Sequence, residues 1–215
     1  MINKNTYSQH GEDILVMNYF KNKKGTFLDL GANDGMTLSN TFLFYLNNWK
    51  GLMVEGSPFV FERLKKNFED QNDIQCLNIC LSDKEGYYDF YHNINHDVNP
   101  NISKENIDLL STIDEYSFER AKNWGSFEKH KIWCHTFDEV IKKSYYKTFD
   151  LISIDIEGMD FKVLNQIDLY ETKTDCLIIE YNNNIEERQK IINYCSSFKL
   201  DNILLDNNTN IILTK

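Results

Sequence analysis

Phe27-Leu28-Asp29-Leu30-Gly31-Ala32-Asn33-Asp34-Gly35 is an apolar run that ends in an acidic residue and two glycines four apart. A buried strand hands over to a helix in this way while its backbone closes round a small ligand. Gly31 allows a tight turn with no Cβ in the way, and Gly35 does the same one turn later. Two glycines after a strand are modest information alone. A second strand, Gly51-Leu52-Met53-Val54-Glu55, ends in another carboxylate about 20 residues further on. In doubly wound folds that acidic residue commonly hydrogen-bonds ribose hydroxyls. The pair points to a nucleoside-containing cofactor.

Outward from this stretch, strands and helices alternate. Helical spacing over 12–20 lets Ile14, Leu15, Met17 and Phe20 share a face. A strand at 26–30, a helix over about 38–47 and a strand at 51–55 follow. Ser57 is placed to cap the next helix, with Pro58 at its first position. A third strand is expected over 74–81 and a further one over 87–91. Regularity returns at 131–136 and in a helix over 137–143. Phe149-Asp150-Leu151-Ile152-Ser153-Ile154-Asp155 is the strongest buried strand, followed by a helix through Phe161, Val163, Leu164 and Ile167. A strand at 176–181, a helix at 184–197 and a hairpin of 200–205 with 211–214 close the chain. The pattern predicts an α/β fold, a mostly parallel sheet covered on both faces, with the hairpin adding an antiparallel strand. One domain over 1–215 is expected, with a poorly periodic insertion at about 92–130 reading as a substrate or lid segment.

Apolar residues make up 41% and charged residues 26%, which argues against disorder over most of the length. The net charge of −10 argues against a nucleic-acid partner, which needs a basic footprint. Cysteines at 76, 80, 134, 176 and 195 form no Cys-x-x-Cys pair and read as reduced core thiols. No apolar run approaches the roughly 18 residues of a membrane helix, and the polar start does not read as a signal peptide. A soluble, cytoplasmic protein is expected.

Asp29, Glu55, Asp155 and Glu180 each end a strand, where ligands of such sheets bind. One such end could merely cap the next helix; four favour a shared pocket. The turn lacks Gly-x-Gly-x-x-Gly and carries Asp34 where a pyrophosphate would approach, which disfavours NAD. A cofactor with ribose and a cationic sulfonium fits better. Glu55 can accept from both ribose hydroxyls, and Asp29 with Asp34 can favour a cationic aminoacyl end. S-adenosyl-L-methionine has these features.

The chain resembles class I S-adenosylmethionine-dependent methyltransferases of the FkbM type. The resemblance rests on Ser8-Gln9-His10-Gly11-Glu12-Asp13, on residues 27–41 with Leu38-Ser39-Asn40-Thr41, and on the run from Gly51 through Gly56-Ser57-Pro58. Leu81-Ser82-Asp83-Lys84-Glu85-Gly86 and Ile152-Ser153-Ile154-Asp155-Ile156-Glu157-Gly158-Met159-Asp160 complete it. It implies a Rossmann-like three-layer α/β/α sandwich with a seven-stranded sheet whose last inserted strand is antiparallel.

By resemblance, Asp29, Gly31, Asn33, Asp34 and Gly35 form the cofactor loop, Glu55 holds the ribose, and Asn40 belongs to the same cofactor-binding set. Ser57 could assist, although its capping role already explains it. Ser82 and Asp83 follow the third strand, where the adenine amine usually finds an acceptor; a plain turn is the other reading of Asp83. Gln9 belongs to a segment read either as closure over the methionine end or as capping by Ser8 or Asp13. Asp155 could touch the methionine amine, and Glu157 could orient or deprotonate the acceptor hydroxyl or simply favour a helix dipole. His135 is a candidate base or a structural histidine. His92 and His96 lie in the insertion, toward an acceptor. Asp155, Glu180 and Asn182 make a weak oxygen-ligand set for Mg²⁺, and no other metal spacing stands out.

The expected activity is O-methylation of a hydroxyl on a sugar, glycan or related small metabolite, as polysaccharide biosynthesis would use. Alternatives are N-methylation of an amide or amine, or a non-catalytic cofactor-binding scaffold in a biosynthetic complex. Oligomeric state is not legible.

Overall fold

The computed structural model describes residues 6–21, 23–95 and 109–215. Along the chain run α1 (Glu12–Phe20), β1 (Thr26–Leu30), α2 (Phe42–Leu46), β2 (Lys50–Glu55), α3 (Pro58–Asn67), β3 (Ile74–Asn78), β4 (Cys80–Leu81) and β5 (Gly86–Asn95). Then come α4 (Glu115–Ala121), β6 (Ser126–His135), α5 (Phe137–Lys143), β7 (Leu151–Ile154), α6 (Asp160–Leu164), β8 (Cys176–Glu180), α7 (Ile185–Ser196), β9 (Asn202–Asp206) and β10 (Asn210–Thr214).

Seven strands form one sheet in the order β3-β2-β1-β7-β8-β10-β9. β10 runs antiparallel to both neighbours, and the other pairings are parallel. The chain builds outward from β1 to β3 and then crosses back to β7, so the order reverses between β1 and β7. A crevice opens there at the carboxyl ends of the strands.

The period of two along each strand gives the sheet two apolar faces. Leu28, Leu30, Leu52, Val54, Ile152, Ile154, Leu177 and Ile179 pack on one face with Val163, Leu164 and Ile191. Phe27, Met53, Leu151, Cys176 and Ile178 pack on the other, with Val16, Phe20, Phe44 and Trp49. Each fully buried side chain of this size contributes about 1.5–3 kcal/mol. Asp29 and Ser153, paired across β1 and β7, alternate into the second face beyond Phe27 and Leu151. They make a polar layer where the core meets the crevice.

Four local expectations differ from the structure. The helix expected over 38–47 is only α2: Leu38 is left-handed (φ 51), and Ser39 Oγ accepts from Thr41 N and Phe42 N, a turn that competes with a helix start. The strand expected over 74–81 changes sheet after Asn78, because β4 pairs with β6. Ile74, Ile79 and Leu81 are all buried, so the apolar run hides the break. Within 92–130, β5 continues to Asn95 and β6 starts at Ser126, a long antiparallel pair with α4 between. Few residues of β6 are buried, so no apolar alternation announces it. On α1 the buried residues are Val16, Met17 and Phe20 with Glu12 and Asp13, whereas Ile14 and Leu15 are half-buried. His96, the 96–108 part of the insertion and the start at 1–5 lie outside the described residues. Among the described residues no helix is long and apolar enough to cross a membrane.

Candidate active site at the strand ends

The turn after β1 is stitched to its neighbours by backbone. Gly31 N and Ala32 N both donate to Val54 O, and Asp155 N donates to Leu30 O. Gly31 is left-handed (φ 88), and a Cβ there would lie 1.7 Å from Asp155 O. Glycine is therefore required by close approach as well as by φ. Asn33, also left-handed (φ 51), donates its N–H to Glu55 Oε2 at 2.9 Å, and Ser57 N donates to Glu55 Oε1 at 2.7 Å. Ser57 Oγ meanwhile accepts from Val60 N, so it does cap α3.

Asp34 is occupied locally: Oδ1 accepts from Met36 N and Thr37 N, and Oδ2 from Thr37 Oγ1. Gly35 faces Phe68 and Leu64 and serves packing.

Deeper in, Thr41 Oγ1 donates to Asp29 Oδ2 at 2.6 Å, and Asn40 Nδ2 donates to Ser153 Oγ at 3.2 Å. Burial raises the Asp29 carboxyl to about 7, with Asp155 adding to the rise. Burial, and then Glu12, raise Asp155 to about 6. Glu157 is held left-handed (φ 53) before Gly158 (φ 97), and its carbonyl accepts from Thr112 Oγ1. Burial and the charges of Asp155 and Asp160 push Glu157 well above the ordinary range, against the pull of Arg120. Glu180 is raised by burial and by Asp155, Glu157 and Asp160. Asp160 fastens the turn, accepting from Ile156 N at 2.9 Å and Gly158 N at 3.0 Å; burial and Asp155 raise it to about 8. Glu12 goes the other way: burial raises it, but hydrogen bonds from Asn210, the backbone and Ser8 outweigh that and hold it low.

These groups surround a cavity of about 650 Å³. Gln9, Asp29, Gly31, Asn33, Asn40, Glu55 and Ser57 line it, and so do Asp155, Glu157, Glu180 and Asn182. Asp34, Gly35, Ser82, Asp83 and His135 do not. Ser82 is buried beside the cavity, bonding Asp83 Oδ1 through its hydroxyl, while Asp83 is exposed. Cys80 and Leu81 border the cavity in their place, with Cys80 Sγ 3.1 Å from Cys134 Sγ. The His135 ring faces Glu85 at 3.5 Å, and His92 stacks among Phe59 and Phe90 outside the cavity.

Sequence reasoning missed Asp160 as the fastener of the turn, although its spacing after Gly158 marks it. It also missed Thr112, Ser117, Arg120 and Trp124, which bring the insertion to the cavity wall and carry no motif. Asn33, Leu38, Glu157 and Asn182, all lining the cavity, are left-handed.

A family model described as the methyltransferase FkbM domain matches residues 29–208. The chain belongs to the FkbM methyltransferase family. The family implies S-adenosylmethionine as cofactor. The structure resembles methyltransferase FkbM from Methylobacillus flagellatus KT at 14% identity and a TM-score of 0.55, covering 88% of this chain and 43% of that one. The chain therefore spans less than half the length of that relative. It also resembles a ribosomal protein L11 methylase from Lactobacillus delbrueckii subsp. bulgaricus at 11% identity and a TM-score of 0.50, covering 95% of this chain and 77% of that one. At such identities the likeness speaks for the fold alone. No curated protein matches the chain.

Proposed function

We propose that this FkbM-family domain uses S-adenosylmethionine to methylate a hydroxyl of a sugar, glycan or related small metabolite. The observation that carries the reading is the cavity itself, with the braced Glu55 at the end of β2 and free carboxylates at the ends of β7 and β8. The residues suit the cofactor: the Glu55 carboxylate at the end of β2 is of the kind that accepts from ribose hydroxyls, and Asp29 with Asp155 matches a cationic aminoacyl and sulfonium end. When bound, the cofactor supplies an electrophilic methyl group.

The residues of this chain then position and activate. Gly31, Asn33, Asn40 and Gln9 shape the cofactor side of the cavity. Thr112, Ser117, Arg120 and Trp124 form a polar and aromatic acceptor side. Much of the rate comes from holding the acceptor oxygen in line for displacement. Glu157 orients the acceptor hydroxyl or takes its proton, and Asp155 faces the cofactor's amine. A net charge of −10 and an acidic cavity suit a neutral acceptor and oppose a polyanion such as RNA.

Calorimetry with S-adenosylmethionine, S-adenosylhomocysteine and NAD tests the cofactor. Binding of the first two, weakened at least about tenfold in Glu55→Ala, is expected from loss of hydrogen bonds to a charged acceptor. Preference for NAD, or unchanged binding in Glu55→Ala, overturns it.

A further inference from the structure

In the cavity three carboxylates converge, and among the described residues no donor holds them. Oxygens of Asp155, Glu157 and Glu180 lie within 4.8 Å of one another. The carboxylates around them are satisfied: Asp29 by Thr41, Asp160 by two backbone amides, Glu55 by two more, and Glu12 by Asn210 and His10 N. No hydrogen bond or ion pair among the described residues reaches the carboxylates of Asp155, Glu157 or Glu180, and Arg120 acts on two of them only through space. Glu180 is the sharpest case, 8% exposed, unbonded and bordering the cavity. A buried, unpaired carboxylate is expensive, and two half-buried like charges beside it add to the cost.

We propose that Asp155, Glu157 and Glu180 bind one hard divalent cation of the Mg²⁺ or Ca²⁺ class. The donor set is all oxygen, which suits these ions and not the softer nitrogen- and sulfur-bound metals. Opposed ligand oxygens around one such ion lie about 4–5 Å apart, at metal–oxygen distances of about 2.0–2.6 Å. The observed spread of the three carboxylates fits that span. Asn182, left-handed (φ 46), also lines the cavity. Glu157 thus replaces Asn182 as the third member of the set read from the sequence.

Three carboxylates leave positions on such an ion open toward the cavity. Two adjacent hydroxyl oxygens of an acceptor can fill them, so the cation would select vicinal diols over isolated hydroxyls. This role rests on the methyl-transfer reading; the cation site does not.

The test titrates the whole protein with Mn²⁺ as a paramagnetic stand-in for Mg²⁺, and with Ca²⁺ by calorimetry. One saturable ion per chain is expected, displaced by excess Mg²⁺. Glu180→Gln should weaken it at least about tenfold, as losing a charged ligand does. The same variant, without metal, should melt at or above the parent temperature, because one of three repelling charges is gone. No saturable binding, or binding in Glu180→Gln and Glu157→Gln as tight as in the parent, overturns the site. S-adenosylhomocysteine calorimetry on the same samples separates the two readings. Retained nucleoside binding without cation binding sinks the cation site alone. Cation binding without nucleoside binding sinks the methyl-transfer reading and the diol role.

Discussion

Gly31 and Gly11 offer a matched pair of substitutions. Both are left-handed, at φ 88 and φ 86. A Cβ on Gly11 would meet nothing within 4 Å, whereas on Gly31 it would lie 1.7 Å from Asp155 O and 2.7 Å from Asp155 C. Real Cβ contacts essentially never fall under 3.0 Å, so the Asp155 peptide must shift by more than an ångström. Gly11→Ala then costs only left-handed strain, about 1–2 kcal/mol. Gly31→Ala adds overpacking against backbone, about 1–3 kcal/mol more. The gain from a stiffer unfolded chain is common to both and cancels. At about 2–4 °C per kcal/mol for a chain of this size, Gly31→Ala should melt about 2–12 °C below Gly11→Ala. Differential scanning calorimetry of both variants measures this. S-adenosylhomocysteine affinity should fall as well in Gly31→Ala, since Asp155 moves. Equal melting temperatures would falsify the close approach of β1 to the end of β7.

Asp29 predicts a pH dependence. Its folded carboxyl lies near 7 against an ordinary 3.8, so the folded state holds the proton more tightly. Its contribution is greatest below about 4 and is lost as pH rises through about 7, with an upper bound of about 4 kcal/mol. Asp29→Asn, which still accepts from Thr41, should flatten the melting temperature across that window; an unchanged slope refutes the assignment. Asp160→Asn leaves one of two backbone amides at the 156–158 turn without its acceptor, a loss of about 1–3 kcal/mol. Thermal melting should show that loss, and a variant as stable as the parent would count against the fastening role. Asp83, exposed and off the cavity, should tolerate alanine with S-adenosylhomocysteine affinity within about twofold, as surface substitutions usually do. A tenfold drop measured by calorimetry would mean that this turn does reach the nucleoside.

The sequence by itself determined the alternation of elements, the main sheet and the acidic strand ends. Those features are local: burial on both faces gives Leu151–Ile154 and Cys176–Glu180 continuous apolar runs, and a strand that meets the crevice must end in a turn. The FkbM motifs are local in the same sense, because Gly31, Glu55 and Ser57 act on their own turns or on the adjoining strand. Tertiary structure decided what lies between such signals. β6 is paired along its length yet largely exposed, so its sequence shows no alternation, and only its pairing with β5 makes it a strand. Arg120, Trp124 and Thr112 reach the cavity through that fold, without a motif of their own. The same limit governs the carboxylates. Sequence shows that Asp34, Asp83, Asp155 and Glu180 all sit near strand ends, but not where their charges go. Packing spends Asp34 on its own turn and leaves Asp83 in solvent, while Asp155, Glu157 and Glu180 converge with no donor among the described residues. A carboxylate's chemistry depends on which donors reach it, and those come from residues distant in the chain.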